Sequence, residues 1–151
     1  TPPGLGDELE RCSKTFLGSI GSQTMAKATE FCIGLDNKPG TLAKLCGALK
    51  RAKVNIDAVS VSENAECCWV RMVASPAATA KRVLGKARYH FCVQPVLTLA
   101  AHNRPGELER AASKLGRAGV NINYVYGSNS RGVPSTLVLS VNDLKRATAV
   151  L

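Results

Sequence analysis

Two stretches of this chain repeat one another: NKPGTLAKLCGALKRAKVNID at residues 37–57 and NRPGELERAASKLGRAGVNIN at residues 103–123. Ten of the 21 aligned positions are identical, and the offset between the stretches is 66 residues. Unrelated stretches of this length share about one or two positions, because many residue types compete for each place. The chain is therefore a duplication, and a repeat of this kind indicates one supersecondary unit used twice.

Both copies show the same alternation of strand and helix patterns. Apolar residues alternate with other residues over 31–35 and 97–101, which predicts a half-buried strand. An Asn-x-Pro-Gly turn follows, with the proline placed to begin a helix. Apolar residues at i, i+3, i+4 and i+7 then predict one buried helical face: Leu42, Leu45, Cys46 and Leu49 in copy one, and Leu108, Ala111, Ala112 and Leu115 in copy two.

The rest of each copy predicts a second strand, a third strand and a second helix. The second strands cover residues 54–61 and 120–126, and the third strands cover residues 69–74 and 136–141. Copy one continues into a fourth strand near residues 91–93, which Pro95 separates from the first strand of copy two. The order βαββαβ, then βαββα, predicts an α+β fold with antiparallel sheets and helices on one face.

These patterns divide the chain into a flexible, functionally silent extension at 1–24, a first domain at 25–95 and a second at 96–151. The second copy lacks its last strand. We therefore expect a partner chain or another segment to cover the sheet edge beside its first strand. Because modules of about 65 residues have thin cores, the two copies are expected to stabilise each other.

Composition and cysteine usage favour a cytoplasmic globular protein. Hydrophobic residues make up 45% and charged residues 21% of the chain, which is an ordinary globular balance. No apolar run approaches about 18 residues, and the N-terminal segment lacks the apolar core of a secretory signal, so we predict no membrane association. The six cysteines form no C-x-x-C motif and have no histidine at ligand spacing. We predict structural thiols, no metal site and no cofactor.

The net charge of +9 raises the question of nucleic-acid binding. The basic residues alternate with apolar helix positions, which favours solvated helix faces. They form two sets: Lys44, Lys50, Arg51 and Lys53, and Lys81, Arg82, Lys86 and Arg88. A ferredoxin-like RNA-binding domain would need a Gly-Phe-type signature, which the third strands WVRMVA and TLVLSV do not carry. Nucleic-acid binding therefore stands as the second alternative function.

Asparagines recur at two places in each copy. Asn37 and Asn103 precede Pro-Gly in the turn, and Asn55 and Asn121 stand in Val-Asn-Ile at the start of the second strand. Asparagine is poor in helices and strands, so its recurrence needs a reason. One reason is structural: the first pair caps the helix, and the second pair completes the helix–strand turn.

The other reason is ligand binding. Gly40 and Gly106 let a ligand approach the backbone closely, and the N–H groups of a first helical turn favour a carboxylate. An asparagine side chain offers one acceptor and two donors, which suits an ammonium and a carboxylate on one carbon. This constellation predicts a free amino acid as ligand. The only histidines, His90 and His102, have no carboxylate at motif spacing, so we predict no enzyme.

The two motif pairs, Asn-Lys-Pro-Gly-Thr-Leu with Val-Asn-Ile-Asp and Asn-Arg-Pro-Gly-Glu-Leu with Val-Asn-Ile-Asn, resemble ACT domains over nearly all of residues 25–151. ACT domains are regulatory modules that bind amino acids and have a ferredoxin-like fold. In the serine-sensing ACT domain of phosphoglycerate dehydrogenase, both asparagines of the motif contact the ligand. Two such modules pair through their second strands. The resemblance implies a tandem ferredoxin-like regulatory protein, a homodimer, with its ligand between modules.

The same resemblance assigns the candidate ligand-binding residues. One site would join Asn37 and Gly40 to Asn121, and the other would join Asn103 and Gly106 to Asn55. The full set is Asn37, Pro39, Gly40, Thr41, Leu42, Asn55 and Ile56, with Asn103, Pro105, Gly106, Glu107, Leu108, Asn121 and Ile122. The histidine that the serine-sensing domain carries two residues before its first asparagine is absent here, where Leu35 or Ala101 takes that place.

The first alternative function is a regulatory subunit of an amino-acid biosynthetic enzyme. The small subunit of acetohydroxyacid synthase contains stretches similar to Asn-x-Pro-Gly and Asn-Ile-Asp. A catalytic subunit would then be a partner of this chain.

Overall fold

The computed structural model describes residues 24–63, 67–128 and 134–151, so the predicted extension lies, except for Thr24, outside the described residues. Ten elements follow one another in the described part: β1 (Thr24–Asp36), α1 (Thr41–Arg51), β2 (Asn55–Glu63), β3 (Cys67–Ser75), α2 (Ala77–Lys86), β4 (His90–Ala101), α3 (Glu107–Arg117), β5 (Ile122–Ser128), β6 (Ser135–Val141) and α4 (Leu144–Val150).

The six strands form one antiparallel sheet in the order β2-β3-β1-β4-β6-β5. The long strands β1 and β4 form the central pair, in a register that runs from Thr24 opposite Ala100 to Gly34 opposite His90. The second half of β1 also pairs with β3, and the second half of β4 also pairs with β6. Each long strand therefore belongs to both copies, and the predicted boundary at 95/96 falls inside β4.

β1 takes the place of a fourth strand in copy two. The last element of the described residues is α4. The first half of β1 lies along residues 96–100 of β4, on the edge that was expected to need a cover. Another segment of the same chain thus closes this edge. The order of buried and exposed residues in β1 matches that in β4 over twelve positions, so the two long strands are themselves repeats.

The prediction that Pro95 separates two strands is wrong. β4 runs without a break through Pro95, which lies opposite Thr29 of β1. β6 pairs with β4 only from Leu97 onward. On the side of β4 that faces β6, Pro95 therefore has no partner strand. A strand tolerates a residue without an N–H group at such a position.

All four described helices pack on one face of the sheet, as predicted. In copy one, Leu45 and Leu49 of α1 are buried against Phe31 and Ile33 of β1. The equivalent cluster of copy two joins Ala111 and Leu115 of α3 to Leu97 and Leu99 of β4. Burying a leucine or isoleucine side chain stabilises the fold by about 1.5–3 kcal/mol.

Four members of the predicted helical faces are not in these cores: the half-buried Cys46 and Ala112, and the exposed Leu42 and Leu108. Leu42 is 40% exposed and Leu108 is 43% exposed. The apolar stripe of each helix therefore extends one turn beyond the core. Equivalent positions are exposed in both copies, which marks the starts of α1 and α3 as similar surfaces.

The other face of the sheet is here called the helix-free face. It is buried because the sheet curls, which brings its two edges together. The outermost strands β2 and β5 contact each other although four strands lie between them. Small residues fill the inside of the curl: Ala58, Val73, Val96 and Val138. The second strands of the copies thus occupy opposite edges of one sheet. The copies are joined through β1 and β4, not through hydrogen bonds between second strands.

Among the described residues, no helix has the length and hydropathy to cross a bilayer.

Candidate functional site

The strand-to-helix turn of each copy is built on a glycine in a left-handed conformation. Gly40 (φ 86°) and Gly106 (φ 92°) are the N-cap residues of α1 and α3, and neither helix start has a side-chain cap. The structural interpretation of Asn37 and Asn103 as caps is therefore wrong, and so is the expectation that proline begins the helix. A positive φ favours glycine. A Cβ atom at either glycine would meet no atom within 4 Å, so the space beside both turns is open.

The two turns carry different side-chain contacts. In copy one, Asn37 Nδ2 donates to Glu63 Oε2 at 2.9 Å, which connects the turn to the end of β2. Thr41 Oγ1 donates to the carbonyl oxygens of Asp36 and Lys38 at 2.9 and 3.0 Å. In copy two, Glu107 replaces Thr41 and forms an ion pair with Arg110 at 2.7 Å. The same backbone therefore presents a hydroxyl in one copy and a carboxylate in the other.

The second pair of asparagines lies beside a β-bulge in each copy. The register shifts between Ile56 and Ala58 in β2, and between Ile122 and Tyr124 in β5. In copy one, Asp57 Oδ1 accepts from Asn55 Nδ2 at 2.6 Å and from Ser75 Oγ at 3.0 Å. The side chain of Asp57 thus orders the start of β2.

Copy two has the same arrangement without the charge. Asn121 Nδ2 donates to Asn123 Oδ1 at 3.2 Å, and Asn123 Nδ2 donates to Ser140 Oγ at 3.4 Å. The backbone N–H of Asn121 donates to Asn142 Oδ1 at 2.9 Å. Both asparagines at the second strand are therefore oriented by the side chain two residues further along.

The candidate residues form groups that are separate within one chain. The turn groups are Asn37, Pro39, Gly40, Thr41 and Leu42, and Asn103, Pro105, Gly106, Glu107 and Leu108. The strand groups are Asn55 with Ile56, and Asn121 with Ile122. Within the described residues, no hydrogen bond joins a turn group to a strand group. Ile56 and Ile122 pack against the helix-side cores instead.

Two shallow cavities flank the bulge of β2, each of about 450 Å³. Asn55, Ile56, Lys50 and Lys53 line the first, and Asp57, Ser75 and Lys27 are among the residues that line the second. Groups of both signs thus lie around the start of β2. An amino acid, which carries an ammonium and a carboxylate, has complementary charges.

The helix-free face holds a buried carboxylate that no sequence motif indicated. Glu30 of β1 is 0% exposed. Its oxygens accept hydrogen bonds from Gln94 Nε2 at 2.6 Å, from Tyr126 Oη at 2.7 Å and from the hydroxyl of Tyr124. The Arg71 guanidinium lies 4.6 Å from the centre of the Tyr124 ring. We call these five residues the Glu30 cluster.

The Glu30 cluster holds the sheet in its curled form. Tyr124 and Tyr126 belong to β5, which is separated from β1 by two strands. In a flat sheet these strands would be about 14 Å apart, beyond the reach of the hydrogen bonds observed. A buried carboxylate is costly unless it is hydrogen-bonded, and three donors satisfy it here. The only signal in the sequence was an acid directly before the alternating apolar run of residues 31–35.

Both tyrosines of the cluster are perturbed. Burial raises the pKa of Tyr126, and the hydrogen bond to Glu30 raises it further. Burial and the hydrogen bond to Glu30 also raise the pKa of Tyr124. Both effects disfavour a phenolate: burial removes it from water, and Glu30 would repel it. The hydroxyls are therefore held as donors toward the carboxylate.

The strand group of copy two is connected to this cluster. Asn123 bonds Ser140, and Ser140 interacts with the Tyr124 hydroxyl. Tyr124 in turn donates to Glu30. A chain of polar contacts therefore runs from Asn121 to the centre of the sheet. In copy one, the contacts of Asn55 end at Asp57 and Ser75.

Among the described residues, no three metal-ligating side chains lie close enough together to hold a metal ion.

Comparisons with solved structures agree with this architecture. A protein from Bacteroides thetaiotaomicron has a TM-score of 0.78 at 24% identity, with 84% of this chain and 88% of that one covered. The ligand-free regulatory subunit of aspartate kinase from Thermus thermophilus has a TM-score of 0.63 at 16% identity, with 85% and 91% covered. A search of curated proteins gives no match.

The family profile described as an ACT domain pair matches residues 26–151. This range contains both repeats, the shared long strands and both turn-and-asparagine groups. The resemblance inferred from the two motif pairs is thereby confirmed. The chain belongs to the ACT domain pair family.

Proposed function

We propose that this chain is a non-catalytic regulatory protein that binds a free amino acid at its repeated turns and second strands. The observation that carries the proposal is a recurrence: both copies combine a left-handed glycine at an uncapped helix start with an asparagine beside a strand bulge. A helix start favours a carboxylate. An asparagine amide interacts with either charged group of an amino acid.

Each complete site forms where second-strand edges of two chains meet. Within one chain the turn groups and strand groups are not hydrogen-bonded to each other, and β2 and β5 are the outermost strands of the sheet. Apolar side chains are exposed at equivalent positions there: Val59 at 50% and Val125 at 36%. Exposed apolar residues on an unpaired edge favour association with a second copy.

A screen of the common amino acids by thermal shift tests the ligand. An amino acid that binds only the folded protein raises its melting temperature. Titration calorimetry on the amino acid found then measures affinity in Asn103→Ala and Asn121→Ala, which are expected to weaken binding about tenfold. The Asn37→Ala and Asn55→Ala variants are the matched comparison, since Asn37 is expected to share its site with Asn121, and Asn55 with Asn103. An unchanged affinity in both Asn103→Ala and Asn121→Ala would exclude the proposed site.

Light scattering after size exclusion tests the assembly separately. The wild-type chain is expected to be a dimer. Val59→Lys with Val125→Lys places two charges on the second-strand edges and is expected to yield a monomer. A dimer that persists in this variant contradicts edge-to-edge association but leaves the ligand test standing.

A catalytic subunit as partner is the second proposal, and it is supported by the fold likeness to a separate regulatory subunit of an aspartate kinase. Co-purification of a catalytic chain, followed by an activity assay with and without the amino acid, tests it. A partner of the acetohydroxyacid synthase type remains a prediction from the motifs alone. The cytoplasmic location also remains a prediction.

A further inference from the structure

A cavity of about 310 Å³ lies between α1 and the segment that connects α2 to β4. α1 contributes Thr41, Lys44, Ala48 and Arg51, which share one helical face because of their spacing. The connecting segment contributes Ala87, Arg88 and Tyr89, and the first residue of β4 contributes His90. Members of both basic sets, which the sequence indicated as separate solvated helix faces, thus line one cavity: Lys44 and Arg51 from the first set, and Arg88 from the second.

Among the residues that the structure describes, the positive charge of this cavity is not neutralised. Asp36 is the only acid of this part of the chain that lines it, and its carboxylate is paired with Lys38 at 3.3 Å. Lys44, Arg51 and Arg88 form no ion pair with any residue that the structure describes. Three cations around one concave surface focus a positive potential and attract an anion.

Arg88 is held in a conformation that favours glycine. Three helices end in the same way: the residue after the left-handed position donates its N–H to the carbonyl five residues earlier. In α3 the left-handed residue is Gly119 (φ 70°), as is usual for this motif. In α2 it is Arg88 (φ 57°), and in α1 it is Lys53 (φ 56°). Arg88 thus places a guanidinium in the cavity lining, whereas Lys53, in the same conformation, lies outside it.

In copy two, the basic residue at the position equivalent to Lys44 is neutralised by a neighbour in the same helix. Glu107 stands where α1 has Thr41, and Arg110 stands where α1 has Lys44. These two residues form an ion pair at 2.7 Å. The unpaired basic cavity is therefore a property of copy one, and among the candidate amino-acid-binding residues only Thr41 lines it.

We propose that this cavity binds a small molecule that carries a phosphoryl group. Two guanidinium groups present forked donors that match phosphoryl oxygens, and Lys44 adds a point charge. The volume suits a small ligand, and Leu35 and Tyr89 in the lining offer apolar surface to the rest of it. The proposal does not depend on the amino-acid site.

Titration calorimetry with inorganic pyrophosphate tests the proposal. Wild-type protein is expected to bind, and Arg88→Gly and Arg51→Ala are each expected to lose affinity about tenfold or more. Lys53→Gly and Arg117→Ala are the matched controls, since they make the same changes away from the cavity, and both are expected to keep wild-type affinity. Arg88→Gly removes backbone strain, so its melting temperature without ligand is expected to rise, as in Lys53→Gly.

Three results would overturn the assignment. The first is that the wild-type protein does not bind pyrophosphate, or that all four variants weaken its binding equally. Equal weakening would indicate a diffuse charge effect. The second is tighter binding of citrate than of pyrophosphate, which indicates a polycarboxylate. The third is binding of a single-stranded oligonucleotide, weakened by Arg88→Gly and Arg51→Ala, with no binding of pyrophosphate.

Discussion

The two copies share a backbone but differ at the centre of the helix-free face. Glu30 of β1 and Val96 of β4 occupy equivalent positions, and both side chains are completely buried. Glu30 is surrounded by hydrogen-bond donors, whereas Val96 packs among Ala58 and Val138. One half of the curl is thus polar and the other half is apolar. The duplication produced two equivalent strands, β1 and β4. The residues that the curled sheet brings into contact with each strand decide which side chain can be buried there.

The largest expected change in the free energy of unfolding comes from making the two halves of the curl alike. Glu30→Val places the copy-two residue in copy one and is expected to lower the free energy of unfolding by about 3 kcal/mol. Gln94, Tyr124 and Tyr126 would then lose a buried acceptor. Urea unfolding measures the loss.

A triple variant serves as the control for this substitution. Glu30→Val with Tyr124→Phe and Tyr126→Phe removes donors and acceptor together, so part of the lost stability is expected to return. A loss below about 1 kcal/mol for Glu30→Val alone would contradict a stabilising role for the Glu30 cluster.

Alkaline pH is expected to have the next largest effect on the free energy of unfolding. Burial raises the pKa of Tyr126 and of Tyr124 above the ordinary value of about 10. A group with a raised pKa stabilises the fold fully below its unfolded value, and this stability is lost as pH rises toward the folded value. The free energy of unfolding is therefore expected to stay level up to about pH 9 and to fall above it.

Urea unfolding across this alkaline range measures the effect. Tyr124→Phe with Tyr126→Phe is expected to flatten the dependence, because no buried phenol remains to ionise on unfolding. An equally steep fall in this variant would mean that other groups cause it.

The smallest expected change in the free energy of unfolding concerns the helix ends, where the two copies differ. Lys53 ends α1 in a left-handed conformation, and Gly119 occupies the equivalent place after α3. Lys53→Gly is expected to raise the free energy of unfolding by about 1 kcal/mol, and Gly119→Lys is expected to lower it by a similar amount. Thermal melts of both variants measure the difference. Changes of the same sign in both would show that backbone strain does not distinguish these positions.

Much of the fold followed from the sequence because its local signals were strong. The repeated turn, the helical spacing of Leu45 and Leu49, and the alternation at Phe31 and Ile33 predicted elements that the structure confirms. The candidate site residues were chosen from the sequence because they recur at one offset, and their contact with a ligand stays a prediction. The bond from Asn37 to Glu63 was not predictable from a local pattern, since it joins residues 26 positions apart.

The sequence by itself determined the duplication, the order of elements and the ACT resemblance, since each depends on residues close together in the chain. Only the tertiary structure decided that β1 completes copy two, that β4 continues through Pro95, and that Glu30 is buried among tyrosines from β5. The physical reason is common to all three. Strand pairing and sheet curling bring distant residues into contact, and burial then sets which polar groups must be satisfied.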